Sequence, residues 1–259
     1  MNKLQDEVVI VTGSTRGIGR STALALAEAG ASVVVNGRSS TNVEKVISEI
    51  EQTGGRGVGV AGSVTETDMG ERLTAAAVDN FGDVTGIINN AGVTRDQIAH
   101  RMGLRDFQEV IDTHVTGTFI CSQPVIRYFK ETKRQGFLLQ MTSLAGLVGN
   151  IGQVNYSAAK AAILGMTWTL AKELKRDGIK VNALAPAALT DMTRPHIEKA
   201  KKEAATEEEA AYWDVGSSEQ VAQFIVDYIV DRNIHQTGEI YAVNKKERGR
   251  WLPPSYEML

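Results

Sequence analysis

Tyr156 and Lys160 stand four residues apart in Y-S-A-A-K, a spacing that sets both on one face of a helix. A tyrosine hydroxyl has an unperturbed pKa near ~10, too high for an efficient proton shuttle at neutral pH. A neighbouring ammonium stabilises the phenolate and brings that value down. The pair therefore suits proton transfer to or from an oxygen atom, and Lys160, as a donor, can also hold a ribose. Ser143 follows the run FLLQM at 137–141. At the end of a strand it can donate a hydrogen bond to the same oxygen. Taken alone, Y-x-x-x-K is a weak pattern, because such pairs are frequent on helix surfaces. It gains weight from motifs elsewhere in the chain.

The first of these is T-G-S-T-R-G-I-G at 12–19, which follows an apolar run and leads into an Ala/Leu-rich segment. A strand that turns sharply into a helix presents that helix's N–H groups to a pyrophosphate, and side chains at the glycines would block the approach. Gly13, Ser14, Arg16, Gly17, Ile18 and Gly19 are expected to line a dinucleotide here. The spacing is not G-x-G-x-x-G. A phosphate loop of the G-x-x-x-x-G-K type fails at both ends, with Ser14 for its first glycine and Arg20 for its lysine. The second apolar run ends N-G-R at 36–38, where an acidic residue would accept from a ribose 2′-hydroxyl. Arg38 and Arg16 instead offer two guanidiniums, which suit a 2′-phosphate and favour NADP over NAD. N-N-A-G at 89–92 places small or polar residues, Asn90, Ala91 and Gly92, where a strand end would approach a flat cofactor.

These residues need a scaffold. Runs at 8–12, 32–36, 57–62, 84–89, 137–141, 179–184 and 239–243 read as buried strands, and segments 42–52, 66–80, 105–130, 154–177 and 217–230 carry helical spacing. The alternation predicts an α/β fold: one Rossmann-type domain over 1–259, with a doubly wound, seven-stranded parallel sheet and helices on both faces. Residues 191–213 are charged and Ala-rich, read as either a solvated surface helix or a lid. Residues 245–259 read as an irregular tail that covers a neighbouring subunit or ends free.

Composition excludes several classes. With 42% hydrophobic and 23% charged residues and a net charge of −3, nothing steers the chain to nucleic acid or an anionic membrane. The single Cys121 excludes an intrachain disulfide and fits a reducing compartment, so a cytoplasmic location is expected. No signal peptide or membrane span is expected, since no run reaches ~18 apolar residues. His100, His114, His196 and His235 lack ligand spacing, so no metal is expected. A G-x-S-x-G nucleophile elbow is missing as well.

As a set, TGSTRGIG, NNAG, Ser143, YSAAK and Pro186 resemble the short-chain dehydrogenase/reductase family, from Leu4 to about Val243. The resemblance implies hydride transfer between a nicotinamide and a carbonyl/alcohol pair, usually in a homodimer or homotetramer. VIDTHVTGTFICSQ and RDQIAHRM are similar to 3-oxoacyl-thioester reductases; GNIGQVNYSAAK is similar to (3R)-hydroxyacyl-CoA dehydrogenase modules. Both branches handle β-oxo/β-hydroxy thioesters carried on acyl carrier protein or CoA. The expected reaction is NADPH-driven reduction of such a thioester, with Tyr156 as proton donor. A dehydrogenase of another alcohol, sugar or steroid, and a degenerate cofactor-binding subunit, stay open as alternatives.

The chain departs from the family pattern at several points. His114 stands where many members have the asparagine of a catalytic tetrad, and is either the holder of a relay water near Lys160 or a packed structural histidine. Pro186-Ala187 replaces the usual Pro-Gly. The resemblance carries nicotinamide-side contacts to Pro186 and Thr190, and adenine-side contacts to Ser63, in place of an aspartate, and Val64.

Overall fold

The computed structural model describes residues 3–190, 193–207, 213–231, 236–245 and 247–252. The β-branched runs form the centre. β1 (Val8–Val11), β2 (Ser32–Gly37), β4 (Gly86–Asn89) and β5 (Phe137–Met141) are buried along their whole length. That is the condition of parallel strands covered on both faces, and it explains their nearly continuous apolar composition. β3 (Arg56–Ala61) lies at one edge and is more exposed. β6 (Lys180–Leu189) runs on through Pro186 past the expected end of the strand.

The sheet order is β3-β2-β1-β4-β5-β6-β8-β9, with β8 at Ile240–Asn244 and β9 at Glu247–Trp251; the two-residue β7 (Gly216–Ser217) pairs with the end of β6. The expected parallel sheet of seven strands is present, and β7 and β9 are additions. β9 is antiparallel to β8, with Ala242 opposite Gly249. The tail expected to be irregular from 245 is therefore a strand over 247–251. All five of its residues are exposed, so no hydrophobic alternation announces it. Residues 253–259, with both prolines, lie outside the described residues.

Helices α1 (Gly17–Glu28), α2 (Ser40–Gln52) and α9 (Ser218–Val230) cover one face, where Leu26, Val35, Ile50 and Ile225 share a core. Helices α3 (Met69–Phe81), α5 (Gly117–Thr132) and α7 (Val154–Glu173) cover the other, with Ile10, Leu73, Val125 and Phe129 in its core. The predicted helix over 105–130 is split: α4 (Leu104–Ile111) joins α5 through a π turn, Asp112–Thr116. One extra residue in that turn rotates His114 inward, where it is buried. A short α6 (Ala145–Val148) precedes α7, and α8 (Arg194–Glu203) occupies the first part of the charged segment 191–213. Residues 191–192 and 208–212 of that segment are not among those described. No helix among the described residues is long and apolar enough to cross a membrane.

Candidate active site

Strand order reverses between β1 and β4: β2 and β3 lie to one side, β5 and β6 to the other. Ligands of doubly wound sheets bind beyond the carboxyl ends of the strands at such a point. The glycine-rich turn leaves β1 there and N-N-A-G leaves β4. Thr12 joins them, its Oγ1 accepting from the N–H groups of Asn90 at 3.0 Å and Ala91 at 3.1 Å. Asn90 Nδ2 returns two bonds, to the carbonyls of Thr12 at 3.0 Å and Gly13 at 3.1 Å. Glycine is required at two positions. Gly13 has φ +62°, and a Cβ on it would lie 2.7 Å from Ala91 Cα. A Cβ on Gly19 would lie 2.3 Å from Asn90 Nδ2 and 2.4 Å from the Gly13 carbonyl.

A cavity of about 870 Å³ opens over these turns. At one end stand Arg16 and Arg38, both exposed and pairing with no carboxylate among the described residues. Ser63 and Val64 flank them. Ser63 Oγ lies 2.8 Å from Thr65 Oγ1 within its own turn, while Val64 is buried. Asn36 fills the place where an acid was sought. Its Oδ1 accepts from Gly13 N–H at 3.3 Å and its Nδ2 donates to the Val60 carbonyl at 3.1 Å, so its amide holds β1, β2 and β3 together. At the other end stand Ser143, Tyr156, Lys160 and His114, with Pro186 and Thr190 alongside.

Of the residues expected from the sequence, Ser14 alone does not line this cavity. It is fully buried, its hydroxyl donates to the Val11 carbonyl at 2.7 Å, and it accepts from Asn36 N–H at 2.9 Å. Ser14 fastens the turn to β2, and Thr15, which sequence reasoning passed over, faces the cavity instead. Thr193, also passed over, lines the wall through a hydroxyl that donates to the Ala188 carbonyl at 2.7 Å. Hydroxyls in polar turns give no sequence signal of the side they face.

Burial governs the charge states of the groups at this end of the cavity. Lys160 lies on α7 under the cavity, and its Nζ donates to the Met141 carbonyl at 2.6 Å and stands 5.5 Å from the Tyr156 ring centre. Loss of hydration pulls its pKa from 10.5 down to about 7. Tyr156 is pushed up to about 12, chiefly by burial; a hydrogen bond from Ser143 opposes this and the charge of Asp96 adds to it. Desolvation, rather than the ammonium expected to lower it, sets the phenol's pKa here. At neutral pH the phenol is protonated, and Lys160 is poised between its two forms.

His114 packs edge-on against Tyr156, ring centres 5.2 Å apart. Its Nε2 is 2.8 Å from the Val93 carbonyl and 3.2 Å from the Val93 N–H. One ring nitrogen cannot donate and accept at once, whereas an asparagine amide carries one group for each role. The shorter contact is the carbonyl, which makes Nε2 the donor and leaves the buried Nδ1 lone pair without a partner among the described residues. Burial, then the charge of Lys160, lower the imidazole from 6.5 to about 3, against the pull of Val93. Between pH 6.5 and about 3 the unfolded chain therefore binds more protons at this site, and stability falls as pH falls through that window. Replacement of His114 by Asn is expected to flatten this fall. Urea midpoints across the window measure it, and equal slopes in both proteins would refute the assignment.

No cluster of His, Cys, Asp and Glu able to hold a metal ion occurs among the described residues. Cys121 is buried, its thiol pushed up to about 12 by desolvation, so it is not a nucleophile.

Known proteins are similar to this chain in sequence and fold. Residues 7–225 match the family model described as short chain dehydrogenase. The chain is 46% identical over 195 residues to a 3-oxoacyl-[acyl-carrier-protein] reductase of Synechocystis sp., a match covering 74% of this chain and 78% of that protein. Against a reductase of the same name from Aquifex aeolicus it is 39% identical over 246 residues, 93% of this chain and 97% of the relative. A short chain dehydrogenase from Mycobacterium avium superposes with a TM-score of 0.86 at 31% identity, over 99% of this chain and 88% of that one. One from Bacillus anthracis gives 0.82 at 29% identity, over 95% and 97%. The matched span reaches from the strand before the glycine-rich turn to the middle of α9, and this chain belongs to the short-chain dehydrogenase/reductase family of oxidoreductases.

Proposed function

We propose that this protein reduces the 3-oxo group of an acyl thioester to the 3-hydroxyacyl thioester, with NADPH as reductant and Tyr156 as proton donor. The observation that carries the reading is the cavity itself. It sets two unpaired guanidiniums at one end and a serine, a protonated tyrosine and a near-neutral lysine at the other, in a chain 46% identical to a protein named for this reaction.

A dinucleotide fits the residues present: Gly13, Gly17 and Gly19 line the cavity at the head of α1, and a Cβ on Gly17, the first residue of that helix, would meet nothing nearer than Thr190 at 3.7 Å. When bound, its reduced nicotinamide supplies the hydride. The chain's own residues do the rest. Ser143 Oγ–H donates to the substrate carbonyl oxygen and orients it. Tyr156 Oη–H passes its proton to that oxygen as the carbonyl carbon becomes an alcohol carbon, and the phenolate left behind is stabilised by protonated Lys160 and reprotonated from its side. A tyrosine held protonated at neutral pH matches the reductive direction. Arg16 and Arg38 receive the 2′-phosphate. Within the charged segment, α8 (Arg194–Glu203) serves as a lid, supported by Thr193 lining the cavity at its foot. The acyl group arrives on acyl carrier protein or CoA, and the working enzyme is a homodimer or homotetramer.

Two experiments test this. A carbonyl panel is expected to give its highest kcat/KM with 3-oxoacyl thioesters; a steroid, sugar or simple ketone ahead of them would displace the substrate assignment. Arg38→Ala is expected to raise the KM for NADPH about tenfold, the order of one charge-assisted hydrogen bond, and to spare that for NADH. An equal change for both cofactors would remove the 2′-phosphate role.

A further inference from the structure

Immediately before Tyr156, the chain is tied to the loop that follows β4. Asn155 is fully buried. Its Oδ1 accepts from Tyr156 N–H at 2.7 Å, and its Nδ2 donates to the Arg95 carbonyl at 2.9 Å and the Asp106 carbonyl at 3.4 Å. One amide thus joins the first turn of α7, the loop after β4 and the first turn of α4. Two further ties run alongside: Gln153 Nε2 donates to Asp96 at 2.7 Å, and Gln97 N–H to the Gly152 carbonyl at 2.8 Å. Arg95 grips Glu109 of α4 with a forked pair at 2.9 and 2.6 Å, which fixes the loop from its other side. The R-D pair of RDQIAHRM is thereby accounted for: Arg95 anchors the loop to α4, and Asp96 anchors it to the approach to Tyr156.

We infer that Asn155, with the Asp96–Gln153 tie, is a positioning clasp that sets Tyr156 against the N-N-A-G loop, and so holds the proton donor in register with the cofactor side of the cavity. The inference rests on Tyr156 being the proton donor. Gln153, at the N-cap of α7, makes no side-chain capping bond, so the Asn155 amide is the side chain that secures the Tyr156 N–H among the described residues. A displacement of about 1 Å in a reacting group costs on the order of 10²-fold in rate.

The test is steady-state kinetics with NADPH and an acetoacetyl thioester, together with NADPH titration of the same proteins. Asn155→Ala and Asn155→Asp are both expected to lower kcat by about 30-fold or more, within the range set by misplacement of a reacting group, with NADPH affinity unchanged. Asp keeps the acceptor for Tyr156 N–H but faces two carbonyl oxygens without a donor. Wild-type kcat in Asn155→Asp would reduce the residue to a helix cap and overturn the clasp. A parallel loss of NADPH affinity would mark general loosening and do the same.

Should these variants fail to fold, Asp96→Asn keeps an acceptor oxygen for Gln153 and removes the charge. The groups facing Tyr156 are His114 from the π turn, Lys160 from α7, Ser143 after β5 and Asp96 from the loop. Asp96 disfavours the phenolate, so its neutralisation is expected to move the alkaline limb of the kcat–pH profile to lower pH. An unmoved limb would show that the loop does not reach Tyr156. Tyr156→Phe in the same assay separates the two ideas. Full activity there would sink the proton-donor assignment, whereas an inactive Tyr156→Phe beside a fully active Asn155→Ala would sink the clasp alone.

Discussion

Tyr156→Phe is expected to lower kcat by about 10³-fold, in the middle of the range for loss of a general acid, while NADPH binds as before. The change deletes one oxygen. The ring remains to pack edge-on against His114 at 5.2 Å, and the backbone N–H remains to bond Asn155, so the fold has little reason to respond. Ser143 would still orient the carbonyl oxygen, but the hydroxyl proton aimed at it would be gone. Lys160 Nζ is directed at the Met141 carbonyl, and His114, with its pKa near 3, carries no spare proton at neutral pH. Stopped-flow traces of reduced nicotinamide would show binding without turnover. A loss in KM alone would mean that the hydroxyl only binds substrate.

Lys160→Met should separate activity from stability. Turnover is expected to fall by about 10²-fold or more through loss of the charge that stabilises the phenolate. Stability should respond to pH in a defined way. In the folded protein the ammonium titrates near 7, in the unfolded chain near 10.5, so between these values the unfolded state binds more protons and wild-type stability rises with pH. Below about 7 the burial of the charge weighs on the fold in full. The methionine variant has no such dependence. Relative to wild type it should be at its most stable below about pH 7 and lose that advantage as pH climbs toward 10.5. Denaturation midpoints at a series of pH values read this directly; a constant difference would show that Lys160 is not buried as a cation. A residue retained against such a burden is one kept for chemistry rather than for the core.

The parallel strands and the motifs between them were legible because each was fixed by local physics. Val8–Val11 and Phe137–Met141 are apolar throughout, as strands covered on both faces must be, and Gly13 and Gly19 occupy positions where a Cβ collides with N-N-A-G. What could not be read depended on distant partners. β9 owes its existence to the backbone of β8, and its sequence, ERGRW, has neither alternation nor β-branching to reveal it. The turn before it places Lys245 at φ +54°, where glycine or asparagine would have been the usual clue. The π turn at Asp112–Thr116 inserts a residue into an otherwise regular helical pattern, which periodicity does not register. Ser14 and Thr15 are adjacent hydroxyls in one turn, and only the fold decides that the first is buried and the second faces the cavity. The same holds for charge. Y-x-x-x-K suggested an ammonium that lowers a phenol, but the depth at which both residues lie raises the phenol and lowers the ammonium instead.

The central claim is that the cavity converts a 3-oxoacyl thioester and NADPH into a 3-hydroxyacyl thioester. Its most direct test is to incubate the wild-type protein with NADPH and an acetoacetyl thioester and to quantify both products by chromatography. One 3-hydroxybutyryl thioester is expected for each NADPH oxidised, and neither product with Tyr156→Phe. NADPH bound but unconsumed by the wild type, with the thioester recovered unchanged, would contradict it.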